Sequence, residues 1–153
     1  MAHAVTAVSI VTTDGAAGRF GMTVSAIASV SAEPPTVLAC INRRSPAVEA
    51  IDGNGVFCVN MLSYEQRALA QCFAGRPETG APYDFEIADW HTATTGAPTL
   101  IGATASFDCL LDASYDAGTH RIVIGRVQSV TGCDTAPLAY AQRAFQTLHP
   151  LNT

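Results

Sequence analysis

Apolar and polar residues alternate along most of this chain with the two-residue period of strands, and helical spacing is confined to two short stretches. Residues 5–13 are rich in β-branched side chains and predict a strand; residues 14–21 carry three glycines and predict a loop. Residues 22–31 alternate small polar with apolar side chains and predict a second strand, broken at Glu33-Pro34-Pro35. Residues 36–42 are nearly all apolar and predict a third, central strand. Ser45-Pro46 predicts a helix start, with Ser45 as N-cap and Pro46 in the first helical position, and the helix ends near Gly53. Residues 56–62 predict a strand. Ser63 and Gln66 stand in the reciprocal places of a capping box, which predicts a helix over 64–73 that stops at Gly75.

Residues 76–90 are polar with Gly and Pro and predict a loop. Over 99–111, Ala103, Ala105, Phe107 and Cys109 face one way, and Thr104, Ser106 and Asp108 the other. Residues 115–118 predict a turn, 120–130 its hairpin partner, and 137–148 a last mixed segment. Six or seven strands with only two short helices predict a mainly β fold, a closed antiparallel barrel rather than a doubly wound sheet.

A chain of 153 residues fits a single domain over residues 1–153 and needs no disulfide or metal to hold its core. With 48% apolar and 14% charged residues it is not disordered, and so little charge points to a surface covered by another subunit. A net charge of −5 argues against nucleic acid as a partner. All eight basic residues are Arg. The absence of Lys excludes a P-loop lysine, a Schiff-base lysine and a lysine general base. The five Cys are odd in number and contain no C-x-x-C, so they predict reduced thiols rather than a disulfide framework or zinc site. The N-terminus has no basic leader region, and no apolar run approaches the ~18 residues of a membrane span, so the expected location is the cytoplasm.

Four places could carry chemistry. The glycines at 15, 18 and 21 are spaced G-x-x-G-x-x-G before a strand, which suits a hairpin turn and not a dinucleotide-binding helix. Asn42-Arg43-Arg44-Ser45-Pro46 places two guanidinium groups and an N-cap where a strand hands over to a helix, which is either a phosphate site or a solvated corner. Thr23 and Ser25 carry hydroxyls on one face of a strand, suited to a polyol or phosphate, or to an ordinary edge strand. His120 begins a strand after a Gly turn, as a site residue or a structural one. His3, His91 and His149 are scattered, so no metal site is predicted. No G-x-S-x-G elbow, thiol–imidazole pair or carboxylate pair is signalled.

In order along the chain, residues 8–13, Gly21-Met22-Thr23-Val24-Ser25-Ala26, Ser29-Val30-Ser31, Pro34-Pro35, residues 37–42, Phe57-Cys58-Val59-Asn60, Phe73-Ala74-Gly75, Gly96-Ala97-Pro98, Gly118-Thr119-His120 and Ile124-Gly125 resemble the short-chain flavin reductases. The resemblance spans residues 5–148 and implies a Greek-key split β-barrel with short peripheral helices, acting as a homodimer. It implies transfer of hydride from NADH or NADPH to FMN or FAD, with the reduced flavin passed to a separate monooxygenase acting on substrates such as 4-hydroxyphenylacetate, phenols or styrene. The alternatives on the same barrel are a retained flavin reducing another acceptor such as a corrin, and a non-catalytic flavin or haem carrier.

The resemblance places flavin contacts at Thr23, Val24, Ser25, Ala26 and Ile27, with Thr23 and Ser25 on the phosphate or ribityl chain. It continues them at Ser29 and Val30 along the isoalloxazine, and at Cys40, Ile41 and Asn42 beside the ring. Arg44 and Ser45 take the phosphate, and Phe73, Ala74 and Gly75 border the site. His120 and Tyr140 meet the nicotinamide. No catalytic acid or base is implied, because hydride transfer depends on position. Two features differ from the family pattern: Thr119 stands where an Asp usually precedes this His, and the chain starts close to the first strand, without most of the usual N-terminal helix.

Overall fold

The computed structural model describes residues 2–151. Its strands are β1 (Thr6–Ala7), β2 (Ser9–Thr13), β3 (Phe20–Val24), β4 (Ile27–Ala32), β5 (Pro35–Asn42), β6 (Val56–Met61), β7 (Trp90–Thr92), β8 (Pro98–Leu100), β9 (Ala105–Ala117), β10 (His120–Gly132), β11 (Leu138–Ala141) and β12 (Ala144–Thr147). Two short α-helices accompany them, α1 (Ala47–Asn54) and α2 (Arg67–Phe73). The main sheet has seven strands in the order β3-β2-β6-β9-β10-β5-β4; β1-β11-β12 and β7-β8 form two smaller sheets, and the paired strands are antiparallel.

This order forces closure. In a flat sheet of seven strands the outer strands would lie ~29 Å apart, at about 4.8 Å per spacing. Yet β3 and β4 are joined by Ser25-Ala26 alone, and the steps from Val24 to Ile27 reach at most ~11 Å. The sheet therefore rolls up until its edges meet. They do not pair with each other; the Cys40 N–H donates to Ala26 O at 2.9 Å across the junction, and β3 also touches β5. This is the split β-barrel expected from the sequence.

The barrel interior holds Val11, Val24, Ala39, Ile41, Phe57, Val59, Cys109 and Val123, and α1 closes one end with Val48 and Ile51. Gly125 makes room there: a Cβ on it would fall 2.5 Å from Phe57 Cζ. A second core holds Val8, Ile10, Leu62, Leu69, Ala70, Phe73 and Leu138, between α2, the outside of the barrel and the small sheet. Burial of side chains such as Phe57 and Phe73 contributes roughly 1.5–3 kcal/mol each.

The structure departs from the sequence reading in definite places. Residues 5–13 form two strands in different sheets, because Val8 switches partners: its N–H donates to Leu138 O, and its carbonyl accepts from Leu62 N–H. Residues 22–31 likewise divide, at the Ser25-Ala26 junction. The strand expected at the centre, β5, is one from the edge, with β4 outside it. α1 starts one residue later than expected and ends at Asn54, where Gly55 takes a left-handed conformation. The turn expected at 115–118 is the two-residue Gly118-Thr119, because β9 continues to Ala117.

Most telling is β9. Its polar face, Ser106 and Asp108, is buried at 2% exposure each. Asn60 explains Ser106: its amide donates to Ile10 O and Thr12 Oγ1, and its Oδ1 accepts from Leu100 N–H and Ser106 Oγ. Asp108 accepts from Thr95 N–H at 2.9 Å and from the Thr95 hydroxyl, which anchors the turn before β8. Buried polar groups with full partners cost little and tie strands together.

Candidate flavin cleft

A cleft of about 600 Å³ opens outside the barrel over β3. The C-terminal end of α2 and the following loop supply one wall, with Phe73, Ala74, Tyr83 and Phe85. The β5–α1 corner supplies the other, with Asn42, Arg44, Ser45, Pro46 and Ala47, and Phe20 to Thr23 line the strand between them. Strand β3 follows α2 closely for two reasons. The Thr23 hydroxyl donates to Ala70 O at 2.7 Å, and Gly21 lets the Phe73 ring approach. The aromatic wall is rigid: Phe73, Phe85 and Trp90 pack with centroids 5.0–5.7 Å apart, and Trp90 Nε1 donates to Phe85 O at 3.0 Å.

The two adjacent arginines at the corner part company. Arg43 turns away, pairing with Asp116 at 3.3 Å and donating to Gly118 O, while its backbone N–H donates to Thr119 O at 3.0 Å. Arg44 faces the cleft and is among the basic residues that pair with no carboxylate in the described residues. The helix start offers fewer donors than expected. The N–H groups of Arg44, Ser45, Ala47 and Val48 are taken by Asn42 Oδ1, Asn42 O, Ser45 Oγ and Ser45 O. An anion here would meet the Arg44 guanidinium and the Ser45 hydroxyl, whose own proton is free to donate.

Of the sequence-predicted site residues, Thr23, Asn42, Arg44, Ser45, Phe73 and Ala74 come together in this cleft. The side chains of Val24 and Ile41 point instead into the barrel core, so only their backbone could meet a ligand. Ser25 and Ala26 are exposed at the β3–β4 junction, Ile27 packs on the barrel core, and Ser29 and Val30 are exposed on the edge strand β4. Cys40 is half-buried on β5. Gly75 follows α2, against the Tyr83 hydroxyl. His120 does not line the cleft but stands directly opposite Asn42 in the β5–β10 ladder, and Thr119 Oγ1 lies 2.9 Å from its Nδ1. Tyr140 belongs to the small sheet, opposite Thr6 and against Phe145.

The sequence reading missed Arg19, Phe20, Tyr83 and Phe85. Arg19 and Phe20 come from the glycine loop read as a plain turn, and Tyr83 and Phe85 from the polar segment read as a loop. A signal for the second pair was present: aromatic residues in a polar loop need something to cover them. Burial raises the Cys109 thiol, in the barrel core, and the Cys58 thiol, on the other face of β6 against Thr99, to about 12, leaving both protonated and unavailable as nucleophiles. Among the described residues no cluster could hold a metal ion, and no helix is long and apolar enough to cross a membrane.

Residues 1–149 match the family described as "Flavin reductase like domain". The chain is 42% identical over 149 residues to "FMN reductase (NADH) RutF" of Ancylobacter novellus, covering 97% of this chain and 81% of that one. It also superposes on BorF, the flavin reductase component of a bacterial two-component tryptophan halogenase, with a TM-score of 0.86 and 32% identity, over 98% of this chain and 94% of that one. The styrene monooxygenase flavin reductase of Pseudomonas putida S12 gives a TM-score of 0.84 and 25% identity over 99% and 95% of the two chains.

Proposed function

The chain belongs to the flavin reductase-like family, and from that premise we propose that its cleft takes FMN with the phosphate at Arg44 and Ser45. The protein is a flavin oxidoreductase that uses NAD(P)H. One observation carries the assignment of the site. In a chain of net charge −5, this aromatic-walled cleft is lined by two arginines and no carboxylate. An aromatic wall beside fixed positive charge suits a flat ring that carries a phosphate tail.

When bound, the flavin accepts hydride from the dihydronicotinamide. The residues position and enclose the reactants. Arg44 and Ser45 fix the tail, the Phe73 and Ala74 end of α2 and Gly75 border the site, and Thr23 lines it as an acceptor. The ligand continues over the exposed Ser25, Ala26, Ser29 and Val30, the half-buried Ile27 and the backbone of Val24, Cys40 and Ile41. His120, beside Asn42, meets the nicotinamide. FMN and NADH are the preferred pair, as the RutF name supports.

The reduced flavin goes to a separate flavin-dependent monooxygenase in the cytoplasm, a reading supported by relatives that are components of two-component systems. The protein works as a homodimer. The low charge content and the exposed, uncharged edge strand β4 favour this.

The test is oxidation of NADH and NADPH by the purified protein with FMN, FAD and riboflavin in turn. No oxidation above a protein-free control with any pair would overturn the reading. Arg44→Ala should weaken FMN about 10-fold or more, and riboflavin little, since riboflavin has no phosphate to lose. Equal loss of both would make Arg44 structural.

A further inference from the structure

The cleft contains one more cation than the FMN phosphate requires. Arg19 lies just before β3, on the side opposite the Arg44 corner, with its guanidinium carbon 4.4 Å above the Phe85 ring centroid. The guanidinium sits over the Phe85 ring and the side chain stays exposed, so N–H groups remain accessible to a ligand at the rim. Phe85 cannot drift away with it, because the ring is wedged against Phe73 and Trp90. No carboxylate of the described residues lies within 4.0 Å of Arg19, although Arg43, Arg67, Arg121 and Arg126 all have such partners. An exposed arginine held in place without a counter-ion, at the rim of an aromatic cleft, is prepared for an anion.

The proposed reaction brings a second phosphorylated molecule to this cleft. The dihydronicotinamide must stack on the flavin ring, and the chain carries no nucleotide-binding helix after its glycine loop. The rest of the dinucleotide must therefore lie along the rim. Arg44 and Arg19 stand on opposite walls, so one anion at each suits two ligands entering from different sides.

We infer that Arg19 binds the pyrophosphate bridge of the nicotinamide dinucleotide and so sets the preference for NADH over simpler hydride donors. The inference rests on the reductase reading above. A pyrophosphate could also come from FAD, and the experiment separates the two sources.

The test compares NADH with 1-benzyl-1,4-dihydronicotinamide, a hydride donor without phosphate, as kcat/KM ratios with FMN as acceptor. Arg19→Ala should lower that ratio about 10-fold, through KM for NADH, while the FMN-to-riboflavin affinity ratio stays at its wild-type value. Arg19→Lys, which keeps charge without the planar stacked fork, should fall between. The inference is overturned if the FMN-to-riboflavin ratio falls instead, which would make Arg19 a second ligand of the flavin phosphate. It is also overturned if only FAD affinity falls relative to FMN, or if no ratio moves and Arg19 merely covers Phe85. Failure of the unaltered protein to reduce flavin with either donor would overturn the reductase reading itself.

Discussion

The ring of Phe73 occupies the space where a side chain on Gly21 would begin: a Cβ there would fall 2.8 Å from Phe73 Cε1 and 3.1 Å from Phe85 Cζ. Gly21 is buried on β3, and Phe73 ends α2, so this contact sets how close the aromatic wall stands to the strand beneath it.

Gly21→Ala should therefore destabilise the fold by about 1–3 kcal/mol through overpacking, and should weaken FMN by moving the Phe73 wall. Urea unfolding and FMN titration check both effects. Phe73→Leu in the same chain should recover part of the lost stability, because the smaller side chain leaves room for the methyl. Unchanged stability and affinity in Gly21→Ala would show that the wall yields freely.

Much of this arrangement is legible in the amino-acid sequence. The barrel class follows from strand periodicity, and the Ser63–Gln66 box is present, with Gln66 Oε1 accepting from Ser63 N–H at 3.0 Å. What was not legible depends on partners distant in the chain. Residues 5–13 read as one strand because periodicity does not record that Val8 changes sheets. The alternation places Ser106 and Asp108 on one polar face of β9 but does not show their burial, because the groups that satisfy them, Asn60 and Thr95, come from other segments. The same holds for the cleft. Thr23 and Arg44 were found through local motifs and Phe73 through the family resemblance, whereas Arg19 and Phe85 acquire meaning only when the 76–90 segment folds against β3.

Asp116 should act as the clamp between the two parts of the site. It pairs with Arg43 at 3.3 Å and lies 2.6 Å from Arg121 Nε, off that N–H direction, and Arg121 reaches on to Asp52 on α1 at 2.9 Å. The Gly118-Thr119 turn that carries His120 is thus held to the β5–α1 corner that carries Arg44. These groups are partly exposed, so Asp116→Asn should cost only about 1 kcal/mol in urea unfolding. It should also raise KM for NADH and the FMN dissociation constant several-fold, with part of the loss restored by Asp116→Glu. If stability falls while both ligand constants hold, the network is structural only.

The buried thiols predict an alkaline limit to stability. Cys58 and Cys109 rise from 9.0 to about 12 in the folded protein, chiefly through desolvation. Between these values the unfolded chain ionises its thiols and the folded chain does not, so the unfolded state gains. The stabilising effect of these groups is complete below pH 9 and is lost as pH rises toward 12. The Tm of the wild type should decline across that window, and the slope should be shallower in Cys58→Ala even though its Tm is lower at pH 7. An identical slope in both proteins would assign the alkaline loss to other groups.

The last prediction concerns His120. The ladder sets its Cα opposite that of Asn42, whose side lines the cleft, and the Thr119 hydroxyl at 2.9 Å from Nδ1 restrains the ring where a carboxylate would stand in the family pattern. Hydride transfer depends on stacking distance and angle, and a ring held at the cleft edge can supply that by contact with the nicotinamide. His120→Ala should raise KM for NADH and lower kcat/KM by ~10- to 100-fold, a loss of ~1.4–2.7 kcal/mol of transition-state binding, with little change in flavin affinity. Thr119→Val, which frees the ring without removing it, should show the same pattern at a smaller amplitude. Stopped-flow reduction of bound FMN with varied NADH separates these constants. If FMN binding collapsed while KM for NADH held steady, His120 would belong to the flavin site; if neither moved, the residue would serve only the hairpin.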